Sequence, residues 1–70
     1  MRRDRALFEL HAQIYQALSN AHRLEIVDAL RHRERSVAEL AAILDVRRAH
    51  VSQHLMVLRV TGIVVARREG

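Results

Sequence analysis

Two helix-type patterns joined by only two residues are the feature that most constrains the fold of this chain. The first begins at Ser36, where the spacing S-x-x-E to Glu39 predicts a capping box at the start of a helix. After a two-residue connection, Asp45-Val46, a second pattern places apolar residues four and seven positions apart along residues 51–58. The chain must therefore turn sharply between two packed helices.

Apolar periodicity predicts a mainly α fold of four helices followed by one β-strand. We expect the helices at residues 4–18, 21–32, 37–44 and 48–61, and the strand at residues 63–67. Asn20 and Ser36 are the predicted N-caps, Asp45 the left-handed residue that ends the third helix, and Gly62 the residue that ends the fourth.

The residues expected in the core come from the second, third and fourth helices. The residues expected to be buried are Leu24, Val27, Leu30 and Ile26; Leu40, Ala41 and Leu44; and Val51, Leu55 and Leu58. The first helix carries Leu7, Leu10, Ile14 and Leu18 in one apolar stripe at helical spacing. The first helix also carries Phe8 and Tyr15 beside its stripe. This is more apolar surface than a small domain can cover, and it indicates a partner chain.

Length and composition exclude several classes of protein. Seventy residues make one domain with a modest core, and the absence of cysteine excludes disulfides and thiolate metal sites. Half of the residues are apolar, which argues against a disordered tail, yet no run approaches the ~20 apolar residues of a membrane span. Because the charged N-terminus is followed by no apolar signal segment, we expect a cytoplasmic protein that does not associate with membranes.

The positive charge is concentrated in the last third of the chain. Residues 1–46 contain seven arginines and seven acids, whereas residues 47–70 contain five arginines and one acid. This asymmetry predicts a surface that faces a polyanion, although a solvated basic face would give the same count.

A short helix, a tight turn and a longer helix are typical of the helix-turn-helix motif, whose second helix enters the DNA major groove. Arg48 is the candidate for guanine and Gln53 for adenine, because each side chain can form two hydrogen bonds to that base. His50 and Ser52 could contact a base or a phosphate. Arg47 opposes the positive end of the helix dipole, so a phosphate would have to compensate its charge.

The residues after the fourth helix predict the start of a wing. The sequence R-R-E-G is typical of a hairpin turn, in which Arg67 and Arg68 would contact phosphates or the minor groove. The alternative is a strand that ends in a solvated turn. Because a hairpin needs a returning strand, residues 1–70 are interpreted as one winged helix-turn-helix domain truncated at the wing tip.

Three segments of the chain resemble the DNA-binding core of ArsR-type winged helix-turn-helix repressors. They are L-S-N-A-H-R-L-E-I-V-D-A-L, S-V-A-E-L-A-A-I-L and V-S-Q-H-L-M-V-L-R-V-T-G-I-V-V-A-R-R-E-G. The resemblance covers residues 18–70 and is most specific over residues 51–64. It implies a homodimeric bacterial or archaeal repressor that leaves its operator when an effector binds. It also implies that a second wing strand and a C-terminal helix of the dimer interface lie beyond Gly70. The recognition-helix positions that it implies are Arg48, His50, Ser52, Gln53 and His54.

No metal or cofactor is expected. Family members that sense metals carry Cys-x-Cys where this chain has S-V-A at residues 36–38. His50 and His54 have a spacing that can bind zinc, but no third ligand accompanies them. A packing role at the helix edge is the alternative for His54, whereas His50 is expected to face DNA.

Two other classes of function remain to be weighed against a sequence-specific DNA-binding repressor. An enzyme is not expected, because the sequence contains no nucleophile-base set and no glycine-rich phosphate loop. A winged helix that dimerises without binding DNA would need a neutral or apolar fourth helix, which the arginines argue against. The sequence therefore predicts a dimeric regulator whose partners are duplex DNA and a second copy of the chain.

Overall fold

A computed structural model describes residues 4–66, which form four helices. The helices are α1 (Arg5–Leu18), α2 (Ala21–His32), α3 (Val37–Leu44) and α4 (Arg48–Val60). Each predicted helix is therefore present, and each end lies within one residue of its predicted position. None of these described helices is both long and apolar enough to cross a membrane.

The start of α2 is fixed by the predicted cap. The Asn20 side-chain oxygen accepts a hydrogen bond of 3.1 Å from the backbone N–H of Arg23, which satisfies a donor that the first turn of a helix leaves unpaired. At the other end of α2, the Arg35 Nε donates to the carbonyl of Ala29 over 3.1 Å. Both ends of α2 are thus tied to the loops that join it to α1 and α3.

The core lies where α2, α3 and α4 meet. Its fully buried large side chains are Ile26, Leu40, Val51 and Leu58. The prediction that Leu24 belongs to the core is wrong, because Leu24 is 51% exposed, whereas α2 buries the predicted Ile26 together with Ala29. Helix α2 contacts α1, α3 and α4, and the residues that it buries are those that lie between these three helices. Periodicity along α2 alone does not identify which of its faces this is.

Helix α4 ends at a glycine in the left-handed conformation. Gly62 has a φ of 79°, and its N–H donates to the carbonyl of Arg59 while the N–H of Ile63 donates to the carbonyl of Leu58. This pair of bonds is the Schellman arrangement, which satisfies carbonyls that the last turn would leave unpaired. The predicted role of Gly62 is confirmed.

The predicted strand at residues 63–67 is not supported. Residues 63–66 form a bend followed by irregular chain, and no residue between 4 and 66 is in a strand. A strand exists through hydrogen bonds to a neighbouring strand, and residues 63–66 have no such neighbour within the described chain. They instead border an open cleft whose other walls include Leu30, Leu40 and Leu55. Arg67 lies outside the described residues.

Candidate nucleic-acid interface

The capping box predicted from S-x-x-E is present at the start of α3. The Ser36 backbone N–H donates to the Glu39 carboxylate over 2.8 Å, and the Glu39 N–H donates to the Ser36 hydroxyl oxygen over 3.0 Å. The bond from the Ser36 backbone is the main cause that lowers the pKa of Glu39. Burial opposes it as the second cause, and the nearby Arg33 and Arg35 guanidiniums lower the pKa further. Helix α3 therefore begins at a fixed residue.

The turn between α3 and α4 has the predicted left-handed residue. Asp45 has a φ of 60°, and the N–H groups of Asp45 and Val46 both donate to the carbonyl of Ala41. Val46 packs against the core from inside the turn. Because backbone hydrogen bonds and packing hold this two-residue connection, the angle between α3 and α4 is defined by the fold itself.

The first turn of α4 lacks internal compensation for its positive end. Arg47 occupies the N-cap position without a side-chain cap bond, and the first turn contains no acidic residue. The side chains of Arg47 and Arg48 are both exposed here. Two cations beside the positive end of a helix dipole are unfavourable unless an anion binds there.

The two sides of α4 are chemically different. Val51 and Leu58 are fully buried, whereas most of the predicted DNA-contacting residues on this helix are exposed. The exposed ones are Arg48, His50, Ser52 and Gln53. Spacing of four residues places Arg48 and Ser52 on one edge of the helix and His50 and His54 on the other, with Gln53 between them on the outer face. The exposed side of α4 therefore presents several kinds of hydrogen-bonding group.

His54 is set apart from the other candidates by its contacts. It is half-buried, and its ring meets the ring of His22 from α2 edge to face, with 5.6 Å between the centroids. Burial lowers the pKa of His54, and the Arg23 guanidinium is the next cause of that shift. His22 and His50 lower the pKa of His54 further. The structure thus places His54 at the junction of α2 and α4 rather than on the outer face.

Two residues of α2 that the sequence patterns did not assign to the candidate interface lie beside it. His22 touches His54, and the Nε of Arg23 is buried with no hydrogen-bond partner within the described chain. No periodic signal could have found them, because they join α4 only through contact between helices. The predicted contacts Arg67 and Arg68 lie outside the described residues.

The histidines do not form a set that meets the requirements of a metal site. Within residues 4–66 there is no group of three or more histidine, cysteine, aspartate or glutamate side chains placed to hold a metal ion. His50 and His54 are accompanied by His22 and Arg23, and a guanidinium cannot act as a ligand.

Comparison with known proteins agrees with this arrangement of helices. The family described as "Bacterial regulatory protein, arsR family" matches residues 20–65, which include α2, α3 and α4. An uncharacterized HTH-type transcriptional regulator of Mycobacterium tuberculosis is 38% identical over 65 residues, covering 91% of this chain and 57% of that protein. The HTH-type transcriptional repressor SmtB of the same organism is 36% identical over 66 residues, covering 94% of this chain and 49% of that protein.

A third relative is named as an activator instead. The transcriptional activator HlyU of Vibrio cholerae is 39% identical over 56 residues, covering 80% of this chain and 52% of that protein. The chain spans about half the length of these relatives. No solved structure gives a significant match. Since the family match covers more than half of this chain, the chain belongs to the arsR family of bacterial regulatory proteins.

Proposed function

We propose that the protein is a sequence-specific DNA-binding regulator that acts as a homodimeric repressor and leaves its operator when an effector binds. The observation that carries this proposal is the exposed side of α4, which presents Arg48, Ser52 and Gln53 next to a fixed turn. The family is one of regulatory proteins, which agrees with the prediction that the chain is not an enzyme. Binding to chromosomal DNA would place the protein in the cytoplasm.

The side chains of α4 divide into base-reading and backbone-binding candidates. Arg48 would read guanine through its O6 and N7 atoms, and Gln53 would read adenine through N6 and N7. Ser52 and His50 lie on opposite edges and could contact a base or the nearer backbone. Arg47 would bind a phosphate at the start of the helix, where the uncapped N–H groups also favour an anion.

The wing would supply further backbone contacts. In this proposal Arg67 and Arg68 belong to a turn that reaches the sugar-phosphate backbone or the minor groove. These contacts would add affinity for any sequence, whereas α4 would supply the preference for one sequence.

The second copy of the chain would cover α1. Helix α1 exposes a set of large apolar side chains: Leu7, Phe8, Leu10 and Tyr15. Phe8 is 59% exposed and Tyr15 is 68% exposed. We propose that α1 packs in the dimer together with a C-terminal helix from the part of the protein beyond residue 70. A dyad operator would then present one half-site to each copy of α4.

Binding of a random-sequence duplex at increasing salt tests the proposal. A DNA-binding regulator that neutralises several phosphates loses affinity steeply with salt, at about 0.9 logarithmic units of affinity per contact for each tenfold change in salt. Selection of preferred sites from a random duplex pool should then yield a dyad. A protein that dimerises but shows neither binding nor salt dependence would instead be an interaction module.

A further inference from the structure

A cationic edge runs along the junction between α2 and α4. His22 meets His54 edge to face across the two helices, and His50 lies one turn before His54 on the same side of α4. Arg23 follows His22 and acts electrostatically on the His54 ring. We refer to His22, Arg23, His50 and His54 as the histidine edge.

None of the groups that act on the His54 ring is acidic, and of the two acids on α2, Asp28 pairs with Arg31 while Glu25 lies beyond the first turn. Neither the first turn of α2 nor the first turn of α4 contains an acidic residue. The charged side chain of α3, Glu39, is engaged by Ser36 and Arg33 instead. On α1, Arg5 and Glu9 pair with each other, and the groups that act on His54 come from α2 and α4 alone. Neighbouring cations without a counter-charge favour an anion that binds between them.

Arg23 also has an unused hydrogen-bond donor at this edge. Its Nε is buried and has no partner within residues 4–66. A buried donor without an acceptor is costly, and for a guanidinium the matching acceptor is a carboxylate or a phosphate. An anionic oxygen of another molecule that lies beside this half-buried side chain would offset its charge.

The position of the histidine edge identifies that molecule. A helix with its side chains is about 10–12 Å across, and the major groove is about 12 Å wide, so a helix in the groove has one backbone strand along each edge. With Gln53 directed at the bases, the edge of α4 that carries His50 and His54 faces the phosphates of one strand. We propose that the histidine edge, including His22 and Arg23 of α2, binds a backbone phosphate of the operator. This inference rests on the proposed function and extends its interface to a second helix.

Binding of a phosphate to this edge has a consequence for protons. Without DNA, the neighbouring cations and burial favour the neutral form of His54. A phosphate reverses that preference, because its negative charge favours protonated imidazoles. The pKa of His54 is then higher in the complex than in the free protein. Duplex binding takes up protons, and affinity increases as the pH falls.

Affinity measured as a function of pH tests the proposal with variants at the exposed positions His22 and His32. A labelled random-sequence duplex is titrated with the whole protein at about 0.1 M salt, at about pH 8 and about pH 6. We expect affinity to increase at least about threefold toward the lower pH, and His22→Gln to remove much of that increase. Calorimetry in two buffers of different ionisation enthalpy should show net proton uptake in the wild type and less in His22→Gln.

His32→Gln is the matched control, because His32 is exposed at the opposite end of the same helix. It should keep the pH dependence of the wild type. If His22→Gln and His32→Gln show the same pH profile while both bind duplex with a steep salt dependence, the phosphate site is wrong and the proposed function stands. If the wild type binds no duplex at either pH, both proposals are overturned.

Discussion

Arg48 and Arg59 are both exposed arginines on α4, yet they lie at opposite ends of the helix. Arg48 stands in the first turn, beside the fixed connection to α3, where a helix-turn-helix protein approaches base edges. Arg59 lies in the last turn, one residue before the helix ends at Val60. The same side chain therefore has a different expected role at each position.

Replacement of Arg48 by alanine should reduce sequence preference. We expect Arg48→Ala to cost roughly 1–3 kcal/mol of binding at preferred sites, because a two-bond contact with guanine is lost, and to broaden the sites recovered by selection. Arg59→Ala should keep the base preference of the wild type. Unchanged affinity and preference in Arg48→Ala would contradict the assigned role.

The lowered pKa of His54 makes stability depend on pH. Since burial and neighbouring cations disfavour its protonated form in the fold, the unfolded chain binds more protons than the folded chain below the ordinary value of 6.5. The free energy of unfolding should therefore fall as the pH decreases from above 6.5 toward the lowered pKa. Urea unfolding measured on either side of 6.5 checks this, and His54→Gln should show a smaller pH effect than His32→Gln.

Among the helices, α3 depends most on its ends, because it has only 8 residues. A helix this short is unstable alone in water, so capping and packing must hold it. Its capping box, its left-handed Asp45 and its buried Leu40 provide both. The orientation of α4 depends in turn on where α3 begins and ends.

Removal of the N-cap of α3 should lower stability. Ser36→Ala deletes the hydroxyl that accepts the Glu39 N–H and should reduce the free energy of unfolding by about 1 kcal/mol. The midpoint of urea unfolding measures this. Ser52→Ala is the matched control, because Ser52 is exposed on α4 and should leave the midpoint nearly unchanged. Equal shifts in the two variants would argue against the cap.

Local signals made the helices predictable, whereas contacts between elements were not. Caps and periodicity lie within a few residues of each other, so the bounds of α2 and α3 were predicted as they occur. The strand at residues 63–67 was predicted wrongly because pairing cannot be read from one segment. Likewise, periodicity indicated the exposed side of α4 but could not reveal that His22 reaches His54.

In the whole molecule, helix α1 is poorly covered by the other helices. Only Ala17 of α1 is buried, and α1 packs chiefly on α2. The apolar side chains of its N-terminal half therefore remain in solvent in a single copy of the chain. Covering such a surface with a second copy would offset its exposure and add the stability that a small core lacks.

A charge placed on the apolar side of α1 should separate the two copies. Phe8→Glu should raise the dissociation constant of the dimer at least about tenfold, because burying an aromatic side chain contributes roughly 1.5–3 kcal/mol. Sedimentation equilibrium measures this constant. Gln16→Glu introduces the same charge away from Phe8 on an exposed position of α1 and should change it little. If both variants dimerise like the wild type, α1 is not the interface.

The connection at Asp45 and Val46 limits how an effector could act on this protein. Two residues anchored to the Ala41 carbonyl and closed by Val46 provide no hinge, so α3 and α4 must move as one rigid piece. The proposed effector would therefore not tilt α4 relative to α3. In the proposed dimer, movement of this pair as a unit would change the separation of the two copies of α4 relative to the roughly 34 Å repeat of the double helix. Release from DNA would then be a mismatch of spacing, with each recognition surface left intact.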